Sequence, residues 1–311
     1  MAQFCFGVDI GGTSVKMGLF SAEGEVLDKW EIPTRTQDGG ENILPDVAAS
    51  IEKKIKEKGI DKANVAGIGV GAPGPIDAEG TVHVAVNLGW GEFNIPEKLG
   101  ALTGLTVKAG NDANVAALGE MWKGGGQGHS NLVAVTLGTG VGGGIIVNGK
   151  MLTGATGSGG EIGHIHVCDD ETESCGCGNH GCLEQYASAT GITRLANRRL
   201  AADNTDSVLR NGPVNAKTVF DAVKAGDALA LEVAEEFGEC LGKALAGIAG
   251  VVNPEIFVIG GGVSKAGQVV LDYIQKNYVK YVFVGSRDAI FALATLGNDA
   301  GIFGAAKLVL G

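Results

Sequence analysis

Basic residues are in the minority: 24 lysines and arginines stand against 35 aspartates and glutamates, a formal charge of −11. A surface of that sign repels phosphate backbones and anionic lipid, so neither nucleic acid nor a membrane is an expected partner. Charge of either sign is modest at 19%, against 45% hydrophobic residues, which excludes a disordered chain. No apolar run reaches the roughly 20 residues a bilayer-spanning helix needs. Met1-Ala2-Gln3 leads straight into Phe4–Val8 without a basic segment, so no leader is expected and the chain reads as cytoplasmic. No Pro/Ser-rich linker separates halves, and the 53 glycines show neither a G-X-Y period nor a low-complexity tract.

What is present in quantity is apolar sequence punctuated by glycine, over 311 residues, enough for two domains. Phe4–Asp9, the turn at Gly11-Gly12-Thr13, Val15–Phe20 and Val26–Ile32 read as a β-meander. Over Asn42–Lys58, apolar residues at Ile43, Leu44, Val47, Ala48, Ile51 and Ile55 have helical spacing, and Gly59 supplies the stop. Val65–Val70 and Leu105–Ala109 are further strands. The plan restarts at Leu132–Leu137, turns through Gly138–Gly144 and returns along Ile145–Val147, a weak internal repeat of the first hairpin. Helices are expected at Ala187–Ala202, Ala216–Lys224, Ala228–Val252 and near Gly267–Asn277. Strands are expected at Ile256–Ile259 and near Ala289–Leu293. The fold class is α/β. The glycine cluster at Trp122–Gly128 places the boundary between domains 1–122 and 123–298, with a helix over about 299–311 packing back on the first.

Two glycine turns in matching positions suit phosphate binding, because backbone N–H groups can face an anion with no Cβ in the way. They are Asp9-Ile10-Gly11-Gly12-Thr13 and Leu137-Gly138-Thr139-Gly140-Val141-Gly142. Asp9, at the end of a strand, is placed to meet a Mg²⁺ through water or simply to cap the turn. Asn111 and Asp112 begin a helix; capping accounts for both, and so does a carboxylate that takes a proton during phosphoryl transfer. Cys175, Cys177 and Cys182 fall within eight positions and, with an upstream histidine, supply the donor set of a closed structural zinc site. His164, His166 and His180 compete as the fourth ligand.

The segments Asp9–Thr13, Asn111–Asn114, Gly160–His164 and Cys175–Glu184, with Gly260–Gly262 behind them, resemble the ROK family of sugar kinases and related repressors. The likeness runs over essentially the whole chain and is nearest to the family's bacterial glucokinases. It implies an actin-like (ribonuclease H-like, ASKHA) fold of two α/β domains with the active site in the cleft between them. The activity implied is ATP-dependent phosphorylation of a hexose, D-glucose first, at the 6-hydroxyl, by a homodimer or homotetramer. ATP, Mg²⁺ and one structural Zn²⁺ are the implied cofactors.

Carried over by motif, Asp112 is the general base, and Asn111, Asp112, Glu161, His164 and Glu184 bind the sugar. His164, Cys175, Cys177 and Cys182 hold the zinc. Gly11, Gly12 and Thr13 meet the phosphates from one side and Gly138, Thr139 and Gly140 from the other, while Gly260, Gly261 and Gly262 lie by the adenosine. The stretch His83–Asn94 is expected to border the sugar, with Trp90 either beside it or in the core. Ser14 stands where the family often has lysine, and the nearest lysine is Lys16. Family kinases for fructose, mannose, allose, N-acetylglucosamine or N-acetylmannosamine are alternative readings. A family repressor would carry a helix-turn-helix before the first strand, for which Phe4 leaves no room. An actin- or chaperone-like ATPase lacks the paired sugar motifs.

Overall fold

The computed structural model describes residues 2–311; Met1, with which the expected first domain begins, lies outside the described residues. Contacts group the chain into two units. The first runs up to Gly128 and adds Gly144–Gly160 and Leu296–Gly311; the second comprises His129–Gly143 and Glu161–Thr295. Residues Gly144–Gly160 thus go with the first unit, a grouping that a single break near Trp122–Gly128 does not contain.

The first unit is built on β1 (Phe4–Ile10), β2 (Ser14–Ser21) and β3 (Val26–Pro33), the expected meander. It continues through α1 (Ile43–Lys58), β4 (Val65–Ala72), the small pair β5 (Thr81–Val82) and β6 (Phe93–Asn94), α2 (Ile95–Thr103), β7 (Val107–Asn111) and α3 (Asp112–Lys123). The sheet order is β3-β2-β1-β4-β7, with β1 antiparallel to β2 and parallel to β4. The reason is visible in burial. β4 is buried at all but one position, as suits a central strand covered on both faces, whereas the edge strand β3 has no buried residue. The six apolar residues of α1 named above are all buried.

The second sheet contains β8 (Leu132–Leu137), β9 (Val141–Val147), β10 (Lys150–Met151), β11 (Ile256–Gly260) and β12 (Ile290–Leu293), in the order β10-β9-β8-β11-β12. β8 holds the place of β1 and β11 that of β4, with β8, β11 and β12 parallel. One strand order therefore occurs twice, which the glycine-turned hairpins had only hinted at. The helices are α4 (Glu184–Ala187), α5 (Ala189–Ala202), α6 (Ala216–Lys224), α7 (Ala228–Val252), α8 (Gln268–Tyr281) and α9 (Ala300–Leu310).

The helix expected over Ala187–Ala202 is α5, which starts at Ala189, with the short α4 just before it. Ser188 is extended (φ −76°, ψ 168°), its Oγ accepts from Gly191 N to cap α5, and its hydroxyl donates to Glu184 O at 2.6 Å. α8 likewise runs on to Tyr281, past the expected stop at Asn277. α9 belongs to the first unit and lies across β1 and β4 so closely that a Cβ at Gly69 would fall 1.7 Å from Ala305 O. Among the described residues, no helix is long and apolar enough to cross a membrane.

Candidate functional site

In the first unit, Asp9 is the next-to-last residue of β1, and the turn follows Ile10. Gly11 N donates to Ser14 O at 3.0 Å, while Thr34 Oγ1 donates to Gly11 O and Thr34 N to Thr13 O, at 2.6 and 3.0 Å. These bonds fix the turn and leave Gly12 and Thr13 exposed. Burial pushes the Asp9 carboxyl up to about 6, helped by the nearby charge of Asp112 and opposed by Lys16. The ammonium of Lys16 donates to Asn298 O at 3.3 Å. A neighbour the sequence does not reveal is Gly301, in the first turn of α9: a Cβ there would lie 2.5 Å from the carboxyl carbon of Asp9.

Asn111 is buried at the end of β7. Its carbonyl caps α3 by accepting from Ala113 N and Asn114 N, at 3.0 and 3.2 Å, and its amide donates to Gly74 O at 3.1 Å. Asp112 opens the helix and accepts from Ala113 N at 2.8 Å. An acidic side chain is favoured there by the helix dipole. Asn114 donates to Gly159 O at 3.0 Å and so holds the stretch leading to Glu161, another role that was not read from the sequence. Trp90 is core: it is 5% exposed, meets Phe93 edge-on and donates its ring N–H to Gly40 O at 3.1 Å.

In the second unit, His164, Cys175, Cys177 and Cys182 come together, their ligand atoms all within 4.8 Å of one another. Cys177 Sγ lies 3.6 Å from Cys182 Sγ, and Cys175 Sγ lies 3.7 Å from His164 Nδ1. Zn–S bonds of about 2.3 Å and Zn–N bonds of about 2.0 Å make tetrahedral edges of roughly 3.5–3.8 Å, which those two separations match, so the cluster is compatible with one zinc ion. The other two histidines are engaged elsewhere. His166 bonds Asp169 at 2.8 Å and His180 O at 2.9 Å, and His180 faces Ser174 Oγ at 3.2 Å. Burial pushes the Cys175 thiol up to about 12.

Glu184, at the start of α4, adjoins this cluster, with Oε1 2.9 Å from Cys175 Sγ and 3.8 Å from His164 Nδ1. Its other oxygen reaches the second glycine turn, where a Cβ on Gly140 would fall 2.6 Å from Oε2. Gly138 O accepts from Ala189 N at 2.8 Å, and Thr139 is exposed. Gly261 adopts φ +85° and lies against Leu137, so the loops Gly138–Gly140 and Gly260–Gly262 are neighbours, with Gly261 and Gly262 exposed. Glu161 and His164 are exposed at the ends of a short 3₁₀ turn, Glu161 as its cap.

The repeated strand order, each copy opening on a glycine turn, is an α/β arrangement of the actin-like class found in ROK sugar kinases. The ROK family profile matches residues 5–311, and the chain belongs to that family. It is 47% identical to a glucokinase of Halalkalibacterium halodurans, over 97% of this chain and 94% of that protein. An N-acetylgalactosamine kinase of a Shewanella species is 32% identical, over 97% of this chain and 96% of the relative. A ROK family glucokinase from Streptomyces griseus, solved in complex with glucose and AMPPNP, superposes with a TM-score of 0.74 at 37% identity, covering 98% of both chains.

Proposed function

We propose that this chain transfers the γ-phosphoryl group of ATP to the 6-hydroxyl of D-glucose in the cytoplasm, with Asp112 as the general base. The observation that carries this reading is Asp112 itself, a carboxylate at the start of α3 with the acidic Asp9 nearby, in a chain similar along its length to glucokinases. Asp112 orients the hydroxyl and takes its proton as the oxygen attacks phosphorus and ADP leaves. Glu161, His164 and Glu184 hydrogen-bond the remaining hydroxyls. His164 turns Nδ1 to the cysteine cluster, which leaves Nε2 for the sugar.

The exposed turns at Gly11–Thr13 and Gly138–Gly140 offer backbone N–H groups to the phosphates, and Gly260–Gly262 lies by the adenosine. Asp9 would hold Mg²⁺ through water, the oxygen donor that ion prefers; the ion supplies charge neutralisation of the phosphates. Cys175, Cys177, Cys182 and His164 would hold a structural zinc, which closes the loop carrying Glu184. Asn111 contributes to the sugar site chiefly by position, since its carbonyl is committed to the α3 cap.

The test is a coupled ADP-release assay over a panel of hexoses and N-acetylhexosamines. Glucose-dependent ADP release supports the reading. ATP turnover that no sugar stimulates would remove it.

A further inference from the structure

The loop that carries the cysteines has little apolar burial of its own, and residues Gly176–His180 are exposed. Its backbone pairs through the isolated bridges His166–Cys182 and Ser174–His180 rather than through a regular strand ladder. Beneath it lies a separate polar cluster that the proposed chemistry does not use. The Glu171 side chain is 5% exposed, and both its oxygens are engaged. Oε2 accepts from Tyr186 OH and from Arg194 Nη2, each at 2.6 Å, and Oε1 accepts from Glu173 N at 3.0 Å. The Arg194 guanidinium, also 5.1 Å from the centre of the Tyr186 ring, holds the Glu171 carboxyl at about 2. Arg194 Nη2 further donates to Gln185 O at 3.1 Å, and Gln185 itself accepts from Cys182 N and donates to Glu173 O, at 3.0 and 2.9 Å.

A buried carboxylate is costly unless paired, so such a cluster holds one arrangement and loses much if one partner goes. Its position in the chain tells what it arranges. Glu171 precedes Cys175 by four residues, and Tyr186 follows Glu184 by two. The cluster thus joins the two ends of the segment that contains three donor sulfurs and Glu184, and anchors both to α5 through Arg194.

We propose that Glu171, Tyr186 and Arg194 form a brace that sets the spacing of the four donor atoms and the aim of Glu184, so that zinc retention and hexose affinity both depend on it. The hexose half of this inference rests on the function proposed above; the zinc half does not require it. These are positioning residues. A cluster that only stabilised the second unit would lower the melting temperature of its variants and leave metal and sugar affinity in place.

The experiment measures zinc affinity by competition with a chromophoric chelator, and KM for glucose and for ATP, in Glu171→Gln and in the milder Tyr186→Phe. In Glu171→Gln, zinc affinity should fall about 10-fold or more, the usual effect of removing a group that orients metal ligands. KM for glucose should rise while KM for ATP stays within about twofold. Tyr186→Phe should move the same quantities less, and it carries the test alone if Glu171→Gln does not fold. Parental zinc affinity in the folded variants would overturn the brace, and so would a KM for ATP that climbs with that for glucose. Should the parent phosphorylate no hexose at all, the proposed function fails while the chelator measurement still decides the brace.

Discussion

At Asp112 two demands fall on one side chain. Its carboxylate accepts from Ala113 N at the start of α3, a structural use that asparagine can imitate, while proton transfer needs a base that asparagine cannot supply. Asp112→Asn should therefore fold, bind hexose and lose on the order of 10² to 10⁴ in kcat. Turnover near the parental rate in a folded variant would take Asp112 out of the mechanism. Gly301 tests the same neighbourhood from the other side. A methyl at that position would sit 2.5 to 2.9 Å from three atoms of the Asp9 carboxyl group, so Gly301→Ala has to displace either Asp9 or the first turn of α9. Misplacement on the scale of 1 Å can cost about 10² in rate, and kcat should fall more than hexose binding. Asp9 was legible as a candidate because it ends a strand before a glycine turn. Gly301 was not, since its partner is almost the whole chain away in sequence.

Among the elements, the cysteine loop and α7 show opposite degrees of legibility. α7 spans Ala228–Val252, the bounds its apolar periodicity predicts, because a long amphipathic helix writes its buried face directly into the spacing. Its cap can be tested by pH. Burial pushes the Asp227 carboxyl up, but hydrogen bonds from Ala230 N, Val208 N and the Ser207 hydroxyl outweigh burial and hold it below the ordinary carboxylate value. A lowered carboxyl contributes stability above its unfolded value and loses it as pH falls through the folded one. Asp227→Ala should cost about 1–2 kcal/mol at neutral pH, and the gap to the parent should close below about pH 4, in urea melts at both pH values.

The cysteine loop wrote only its donor types into the sequence. Spacing alone did not choose among three histidines and the family resemblance pointed to His164; side-chain contacts pair His166 with Asp169, His180 with Ser174 and His164 with Cys175. The parent should contain about one zinc per chain, and Cys177→Ser should lose metal and raise KM for hexose more than KM for ATP. Full activity of a metal-free preparation would refute the structural role. The short α4 was likewise not read from the sequence; Ser188 separates it from α5, accepting from Gly191 N as the α5 cap while its hydroxyl donates to Glu184 O.

For the molecule as a whole, the question left to decide is which sugar the shared fold serves. The matching glycine hairpins made the internal repeat readable, but the five-strand order of each sheet and the grouping of Gly144–Gly160 depend on long-range pairing that no local pattern encodes. Sugar choice is of the same kind. Kinases of different hexoses share this chain's length and motifs, so fold cannot discriminate among them and the polar groups of the site must. In the proposed site, Glu161, His164 and Glu184, the last held against Cys175 and beside Gly140, would make hydrogen bonds that an acceptor with missing or displaced hydroxyls leaves unmade. An acetamido group at C2 also needs room, and the whole-length similarity is greater to a glucokinase than to an N-acetylgalactosamine kinase. Glucose should therefore be preferred over N-acetylglucosamine and N-acetylmannosamine by about tenfold or more in kcat/KM, measured by direct competition at equal concentrations. A ratio that favours an N-acetylhexosamine would reassign the substrate to that branch of the family, and Asp112 would remain the base to test in it.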